Sequence, residues 1–217
     1  MTTIECGAVL FDLDGVLVDS TALVTRLWTH WSGERGLAPE DVLAAAYGQR
    51  TIDTMRAIAR ERAEEEAAAF DEREESETEG LAPLPGAREL LGSLPGGRWA
   101  VVTSGSARLA KSRLQACGLP LPVVLVSADD VSNGKPDPEC YLFGSRRLGI
   151  GPEEAVVIED TPAGIQAARA AGMRTIAVRT TYPGDRLAEA DFCVAGVHEI
   201  VASPGGLRLQ PSGAKQP

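Results

Sequence analysis

The feature that most constrains this chain is a pair of aspartates placed directly after a short apolar run. The run Ala8–Phe11 predicts a buried strand, and Asp12, Asp14 and Gly15 follow it. Because residues i and i+2 of an extended chain point the same way, both carboxylates leave the strand end on one side. Two like charges this close resist joint ionisation unless a cation lies between them. An oxygen-seeking dication such as Mg²⁺ fits that place, although Asp-x-Asp-Gly is also ordinary turn chemistry.

The remainder of the chain divides into a helical part and an alternating part. Residues 18–84 show helical spacing and no strand signal, whereas short Val-rich runs alternate with helices from residue 87 onward. The predicted later strands are Trp99–Val102, Val123–Val126, Ala155–Ile158, Thr175–Val178 and Phe192–Val194. This pattern predicts an α/β fold, a Rossmann-like, doubly wound parallel sheet with an all-helical insert. We expect a core over 1–17 and 85–202, the insert over 18–84, and a disordered Gly- and Pro-rich tail over 203–217.

Composition excludes several classes of function. The 217-residue chain has a formal net charge of −10, which argues against nucleic acid or an anionic membrane as a partner. Ten acidic residues lie between Glu61 and Glu79, and we expect a solvated helix face there. The four cysteines have no CxxC spacing, and neither a signal peptide nor a long apolar run is evident, so we expect a reduced, cytoplasmic monomer. Neither histidine lies near a motif, which leaves carboxylates, hydroxyls and lysine for any chemistry.

Residues able to carry that chemistry follow four of the predicted strands or the loops after them. They are Asp12 and Asp14, then Thr103, Ser104 and Gly105, then Lys135, and finally Glu159 and Asp160. In open α/β sheets, ligands bind beyond the carboxyl ends of the strands, so these residues are predicted to meet. Thr103 and Glu159 also suit helix caps, but four such groups at one sheet edge favour a functional site.

Four segments in chain order resemble the four motifs of the haloacid dehalogenase superfamily. They are Asp12–Gly15, Thr103–Gly105, Gly134–Pro138 and Ile158–Ile165. The helical insert resembles the cap domain of the helical-capped subfamily I. Within the family, Tyr47–Thr51, Trp99–Ser106 and Pro138–Leu142 are similar to segments of sugar-phosphate and glycerol-phosphate phosphatases.

This resemblance implies an Mg²⁺-dependent phosphatase that acts on a small phosphorylated metabolite. Asp12 would attack phosphorus and form an aspartyl-phosphate, which splits one hard displacement into two easier ones. Asp14 would protonate the departing alkoxide and then activate the water that hydrolyses the intermediate.

The resemblance also implies which groups bind metal and substrate. Mg²⁺ would be held by the Asp12 carboxylate, the Asp14 carbonyl and Asp160, with Glu159 nearby. The implied substrate-binding residues are Thr103, Ser104, Gly105, Lys135 and, from the cap, Arg50.

Three other functions share part of this pattern. A haloacid dehalogenase needs no acid two residues after its nucleophile, so Asp14 counts against it. A sugar phosphomutase shares all four motifs, but related mutases place a histidine near the position of Val24. A phospho-acceptor module of the receiver type also combines acids, a hydroxyl and a lysine around Mg²⁺, but is usually shorter and lacks a helical insert.

Overall fold

The structure, a computed structural model, describes residues 2–210. Its strands are β1 (Thr2–Glu5), β2 (Ala8–Phe11), β3 (Val18–Asp19), β4 (Ala82–Pro83), β5 (Trp99–Val102), β6 (Val124–Val126), β7 (Ala155–Glu159), β8 (Arg174–Val178), β9 (Phe192–Val194), β10 (Ile200–Ser203) and β11 (Gly206–Leu209). Its α-helices are α1 (Thr21–Gly33), α2 (Pro39–Ala46), α3 (Thr51–Ile58), α4 (Ala63–Ser76), α5 (Ala87–Ser93), α6 (Ala107–Ala116), α7 (Glu139–Leu148) and α8 (Pro162–Ala170). No helix in this range is both long and apolar enough to cross a membrane.

Six strands form one parallel sheet in the order β6-β5-β2-β7-β8-β9. The chain runs outward from β2 through β5 to β6, then returns to β7 on the other side of β2. Strand order therefore reverses at β2, which is where doubly wound sheets open a crevice beyond their carboxyl ends. The predicted Rossmann-like α/β fold is confirmed.

The two faces of this sheet pack into separate apolar clusters. Successive residues of β2 point to opposite sides, so Phe11 joins one cluster and Leu10 joins the other. Phe11 meets Trp99 edge to face, with ring centroids 6.3 Å apart. On the other face, a Cβ at Gly144 of α7 would lie 2.9 Å from Leu10 Cδ2, so glycine lets this helix pack closely on the sheet. Burial on both faces explains the continuous apolar runs of the strands.

Helices α1 to α4 pack around an apolar cluster of their own. Trp28 stacks on Phe70 with ring centroids 4.0 Å apart, and Met55 is fully buried in the same cluster. The short strands β3 and β4 pair antiparallel where the chain enters and leaves this insert, within the range 18–84 for which the sequence predicts no strand. The acidic run is also not wholly solvated, because Glu66 and Glu74 of α4 are buried.

The C-terminal residues differ from the sequence prediction. Disorder is expected over 203–217, but β10 and β11 form a hairpin that pairs with β1 in an antiparallel sheet. The Gly- and Pro-rich composition reflects the hairpin turn, where Gly205 has a φ of +80°. The alternation that follows places Leu207 and Leu209 in the core, so the prediction is wrong for 203–210. Residues 211–217 lie outside the described range.

Leu207 tests whether this hairpin belongs to the folded core. Leu207→Ala removes a fully buried side chain and is expected to lower the free energy of unfolding by about 2–5 kcal/mol. The control is Leu121→Ala at a side chain that is 49% exposed. This control is expected to change stability by less than about 0.5 kcal/mol. Urea denaturation of both variants makes the comparison, and equal stabilities would contradict the packed hairpin.

Candidate active site

The ends of β2 and β7 are joined by one lysine. Lys135 Nζ donates to Asp12 Oδ1 at 2.5 Å and to Glu159 Oε1 at 2.7 Å. Asp12 directly follows β2, and its backbone N–H donates to the carbonyl of Ile158 in β7 at 3.0 Å. The structure therefore brings together three of the predicted residues from segments that are far apart in sequence.

The surroundings of Lys135 keep its ammonium charged. Its side chain is 2% exposed, and Nζ also lies 3.4 Å from the carbonyl oxygen of Val102. Burial alone lowers the pKa of a lysine, but the Asp12 and Glu159 carboxylates outweigh burial and raise the pKa of Lys135 well above its usual value. The lysine is thus a fixed positive charge at the base of the site.

Both carboxylate oxygens of Glu159 accept hydrogen bonds from other groups of the protein. Oε1 accepts from Lys135 and from the Tyr141 hydroxyl at 2.9 Å, while Oε2 accepts from the Thr161 hydroxyl at 2.9 Å. Oε2 also accepts the backbone N–H groups of Asp160 and Thr161 at 2.9 and 3.0 Å. Burial opposes ionisation, but Lys135 and these donors lower the pKa of Glu159. The structure therefore places Glu159 as a support for Lys135 and the loop after β7, and leaves it no free oxygen for a metal.

The remaining carboxylates fit a dication. Oδ1 of Asp160 is buried and has no hydrogen-bond partner among the described residues. Burial, followed by the charges of Glu159 and Asp12, raises the pKa of Asp160 well above its usual value. Burial likewise raises the pKa of Asp12 to about 7, although Lys135 opposes it. A cation beside Asp12 and Asp160 would restore both charged forms, because Lys135 bonds to only two of the three carboxylates, Asp12 and Glu159.

Few side chains that could bind a metal lie at this position. Within residues 2–210, no group of three or more His, Cys, Asp or Glu side chains is arranged to hold a metal ion. The predicted set is the Asp12 and Asp160 carboxylates and the Asp14 carbonyl, with Glu159 nearby, and both oxygens of Glu159 already accept hydrogen bonds. The loop that carries this carbonyl turns at Gly15, which has a φ of +77°. A Cβ there would lie 2.0 Å from Asp160 Oδ2, so only glycine lets Asp160 approach the loop.

The predicted hydroxyls lie on the opposite side of the site from Asp160. Thr103 is buried after β5, and its Oγ1 accepts the backbone N–H of Gly105 at 3.1 Å. Ser104 Oγ instead donates to the carbonyl of Gly48 in the insert at 3.0 Å. Thr103 and Gly105 thus shape the site, whereas the Ser104 side chain binds the insert to the core.

A cavity of about 90 Å³ lies between the core and the insert. Its lining includes Asp12, Asp14 and Thr103 from the core and Val24, Trp28 and Gln49 from the insert. A larger hollow of about 360 Å³ lies near Cys6 and Arg98, at the start of β2, and contains none of the predicted residues. The small cavity is the candidate active site because Asp12, Asp14 and Thr103 line it together.

Arg50 is held by hydrogen bonds to the insert and to the core. Its Nε and Nη2 donate to both oxygens of Asp53 at 2.6 and 3.0 Å. Its Nη1 donates to the carbonyls of Val131 and Ser132 in the core at 3.2 and 3.0 Å. Arg50 therefore links the insert to the core, and its contact with substrate stays a prediction.

Arg113 is a site residue that the sequence prediction missed. It donates from Nη1 to Asp14 Oδ2 at 2.6 Å and from Nη2 to Glu74 Oε1 at 2.7 Å. The sequence does contain an indication of this role, because Arg113 lies in α6 on the buried stripe formed by Leu109, Ala110 and Leu114. A charged residue within an apolar stripe indicates a buried partner.

The chain is similar to known proteins over most of its length. The model of the haloacid dehalogenase-like hydrolase family matches residues 9–178. Hexitol phosphatase A of Escherichia coli is 42% identical over 215 residues, which cover 96% of this chain and 97% of the relative. Glycerol-1-phosphate phosphohydrolase 2 of Saccharomyces cerevisiae is 34% identical, over 86% of this chain and 80% of the relative.

A solved structure shows a similar fold. The β-phosphoglucomutase of Clostridium difficile superposes with a TM-score of 0.73, over 89% of this chain and 92% of the mutase. Its sequence identity is 21%, so the likeness is one of fold.

Removing the charge of Lys135 is expected to destabilise the fold. Lys135→Met leaves Asp12 and Glu159 buried without their counter-ion, which costs about 3–5 kcal/mol in similar buried pairs. The control is Lys111→Met on the exposed side of α6, which is expected to leave the free energy of unfolding within about 0.5 kcal/mol. Chemical denaturation measures both variants. A Lys135→Met protein as stable as the control would show that the ion pair contributes nothing.

Proposed function

The chain belongs to the haloacid dehalogenase-like hydrolase family and is an enzyme of the phosphatase type, and we propose that it hydrolyses a small sugar or polyol phosphate through an aspartyl-phosphate. The observation that carries this proposal is the contact of Lys135 with Asp12 beside a cavity that Asp14 and Thr103 also line. The phosphatase names of the two curated relatives support it. The expectation of a cytoplasmic monomer stays a prediction.

Asp12 is the proposed nucleophile. Lys135 binds its Oδ1, which fixes the orientation of the carboxylate and leaves the other oxygen to attack phosphorus. The new P–O bond forms as the bond to the leaving alkoxide breaks, and the phosphoryl group passes to Asp12. Thr103 and the turn at Gly105 would donate to the phosphoryl oxygens as charge builds on them, and Lys135 supplies a permanent positive charge.

Asp14 is the proposed acid and base. It lines the same cavity as Asp12, two residues further along the chain. In the first step it would give a proton to the leaving alkoxide, and in the second it would take a proton from the water that attacks the aspartyl-phosphate. The two steps leave Asp12 and Asp14 in their starting states and release inorganic phosphate and an alcohol.

A divalent cation is part of this proposal. Asp12, Asp160 and the Asp14 carbonyl are the groups that would hold Mg²⁺, and the unpartnered oxygen of Asp160 supports that assignment. When bound, the ion neutralises charge on the phosphoryl oxygens. Glu159 serves this site through Lys135 and the loop, since its own oxygens are already hydrogen-bonded.

The helical insert is proposed to act as a cap that encloses the substrate. The cavity between the core and the insert has a volume of about 90 Å³. Gln49, Thr51 and Glu74 of the insert line it and can hydrogen-bond hydroxyl groups. A short polyhydroxylated chain matches that lining better than an apolar alcohol does, in line with a hexitol or glycerol ester.

The alternative of a phosphomutase has less support. Val24 of α1 lines the cavity, at the position where related mutases are expected to carry a histidine. An apolar side chain there cannot transfer a proton to a sugar hydroxyl. Membership of a hydrolase family and a helical insert likewise argue against a receiver module.

Asp12→Asn is expected to abolish phosphatase activity, because an amide is a very poor nucleophile in place of a carboxylate. We expect release of phosphate from 4-nitrophenyl phosphate to fall by about a thousandfold or more. The control is Asp19→Asn at an exposed carboxylate of the same segment, which should retain near wild-type turnover. Residual activity of more than a few per cent in Asp12→Asn would refute the assignment of the nucleophile.

Removal of divalent cations is expected to silence the enzyme. Protein treated with EDTA and then desalted should release no phosphate, and added Mg²⁺ should restore the rate, because only oxygen ligands are offered at the site. Asp160→Asn should need a higher Mg²⁺ concentration for half-maximal rate. Full activity of the chelated protein would contradict a metal-dependent mechanism.

A further inference from the structure

Arg113 joins the proposed acid to the helical insert. It projects from α6 of the core and bonds Asp14 of the core at 2.6 Å and Glu74 of α4 at 2.7 Å. The arginine side chain is 4% exposed and that of Glu74 is 8% exposed. The three charges therefore lie at the border between the core and the insert, beside the cavity.

Burial makes this arrangement costly. It lowers the pKa of Arg113, but Asp14 and Glu74 outweigh it and raise that pKa. Burial also raises the pKa of Glu74, although Arg113 opposes the shift. Apolar residues often replace a buried ion triad without loss of stability, so stability alone is a weak reason for these three charges.

We propose that Arg113 is a positioning residue for Asp14, and that Glu74 fixes Arg113 in the required orientation when the insert is docked on the core. This inference rests on the proposed role of Asp14 as acid. Glu74 of α4 would then affect catalysis although it does not itself bond to Asp14.

The geometry gives a reason for two partners. A guanidinium is planar and rigid, so binding of Nη2 by Glu74 sets the direction in which Nη1 points. Nη1 then holds Asp14 by Oδ2, which leaves Oδ1 buried and without a hydrogen-bond partner among the described residues. Oδ1 is the oxygen that would carry the proton to the leaving group. Loss of Glu74 frees Arg113, and Asp14 then samples orientations in which its proton is misplaced.

Glu75 offers a matched control on the same helix. It also bridges α4 to α6, by accepting from Ser106 Oγ at 2.6 Å and pairing with Arg108 Nε at 3.2 Å. Among the described residues, it makes no hydrogen bond or ion pair with Asp14 or Arg113. A variant of Glu75 therefore perturbs docking of the insert without disturbing the acid.

The test compares two esters of similar shape that differ in their need for a proton. 4-Nitrophenyl phosphate has a good leaving group, whereas phenyl phosphate has a poor one. Values of kcat and KM would be measured for both esters in wild type, Asp14→Asn, Glu74→Gln, Glu75→Gln, Arg113→Lys and Arg113→Met. Glu74→Gln is expected to lower kcat for phenyl phosphate by about tenfold or more, and kcat for 4-nitrophenyl phosphate by less than about threefold.

The other variants separate positioning from structure. Arg113→Met should show the same selective loss more strongly, and Arg113→Lys should recover part of it. Glu75→Gln should change KM and leave the ratio of the two kcat values at the wild-type level. If Arg113→Met does not fold, the double variant Glu74→Gln with Arg113→Met removes both buried charges and should show the selective loss instead.

The outcomes distinguish failure of the positioning role from failure of the proposed function. Equal ratios in Glu74→Gln and Glu75→Gln would overturn the positioning role while leaving the proposed function intact. Equal slowing of both esters by Asp14→Asn, or a wild-type protein that releases no phosphate from either ester, would overturn the proposed function and this inference with it. A selective loss in Asp14→Asn and Glu74→Gln, absent from Glu75→Gln, supports the inference.

Discussion

The site depends on one buried ammonium shared by two carboxylates. Lys135 reaches Asp12 at the end of β2 and Glu159 at the end of β7, and it is almost fully buried. Burial alone favours the neutral form of each carboxyl group, and the ammonium of Lys135 stabilises the charged forms. The parallel pairing of β2 with β7 sets the distance between the two carboxylates. The electrostatics of the site therefore depend on the fold of the sheet. The negative charge that the lysine does not neutralise creates the place for a dication.

The insert contacts the core through polar groups around the cavity. Arg50 reaches carbonyls of the core on one side, and Ser104, Glu75 and Arg113 make contacts on the other. Polar interfaces between domains can separate because water replaces their hydrogen bonds at little cost. This polar character is consistent with the proposed role of the insert as a cap. Arg113 differs from the others because it also holds the proposed acid.

The sequence was most informative where the signal is local. Apolar runs such as Ala8–Phe11 predict the parallel strands, and residues at strand ends must meet once that sheet forms, so Asp12 and Lys135 could be placed in advance. The hydrogen-bond partners of these residues could not be predicted, because they depend on contacts between distant segments. Such contacts include the donation of Lys135 and Tyr141 to Glu159 Oε1. They also include the donation of Arg50 to the carbonyls of Val131 and Ser132. The hairpin over 200–209 was missed because its turn residues resemble a low-complexity tail and its partner, β1, lies at the other end of the sequence.

The central claim is that phosphorus passes to a side chain before it reaches water. The stereochemical course at phosphorus tests this most directly, with a phosphomonoester made chiral by the three oxygen isotopes. Two successive in-line displacements, first by Asp12 and then by an alcohol acceptor that takes the place of water, predict net retention of configuration in the transfer from ester to acceptor. Inversion would show a single direct attack and would contradict the account, whichever residues proved necessary for activity.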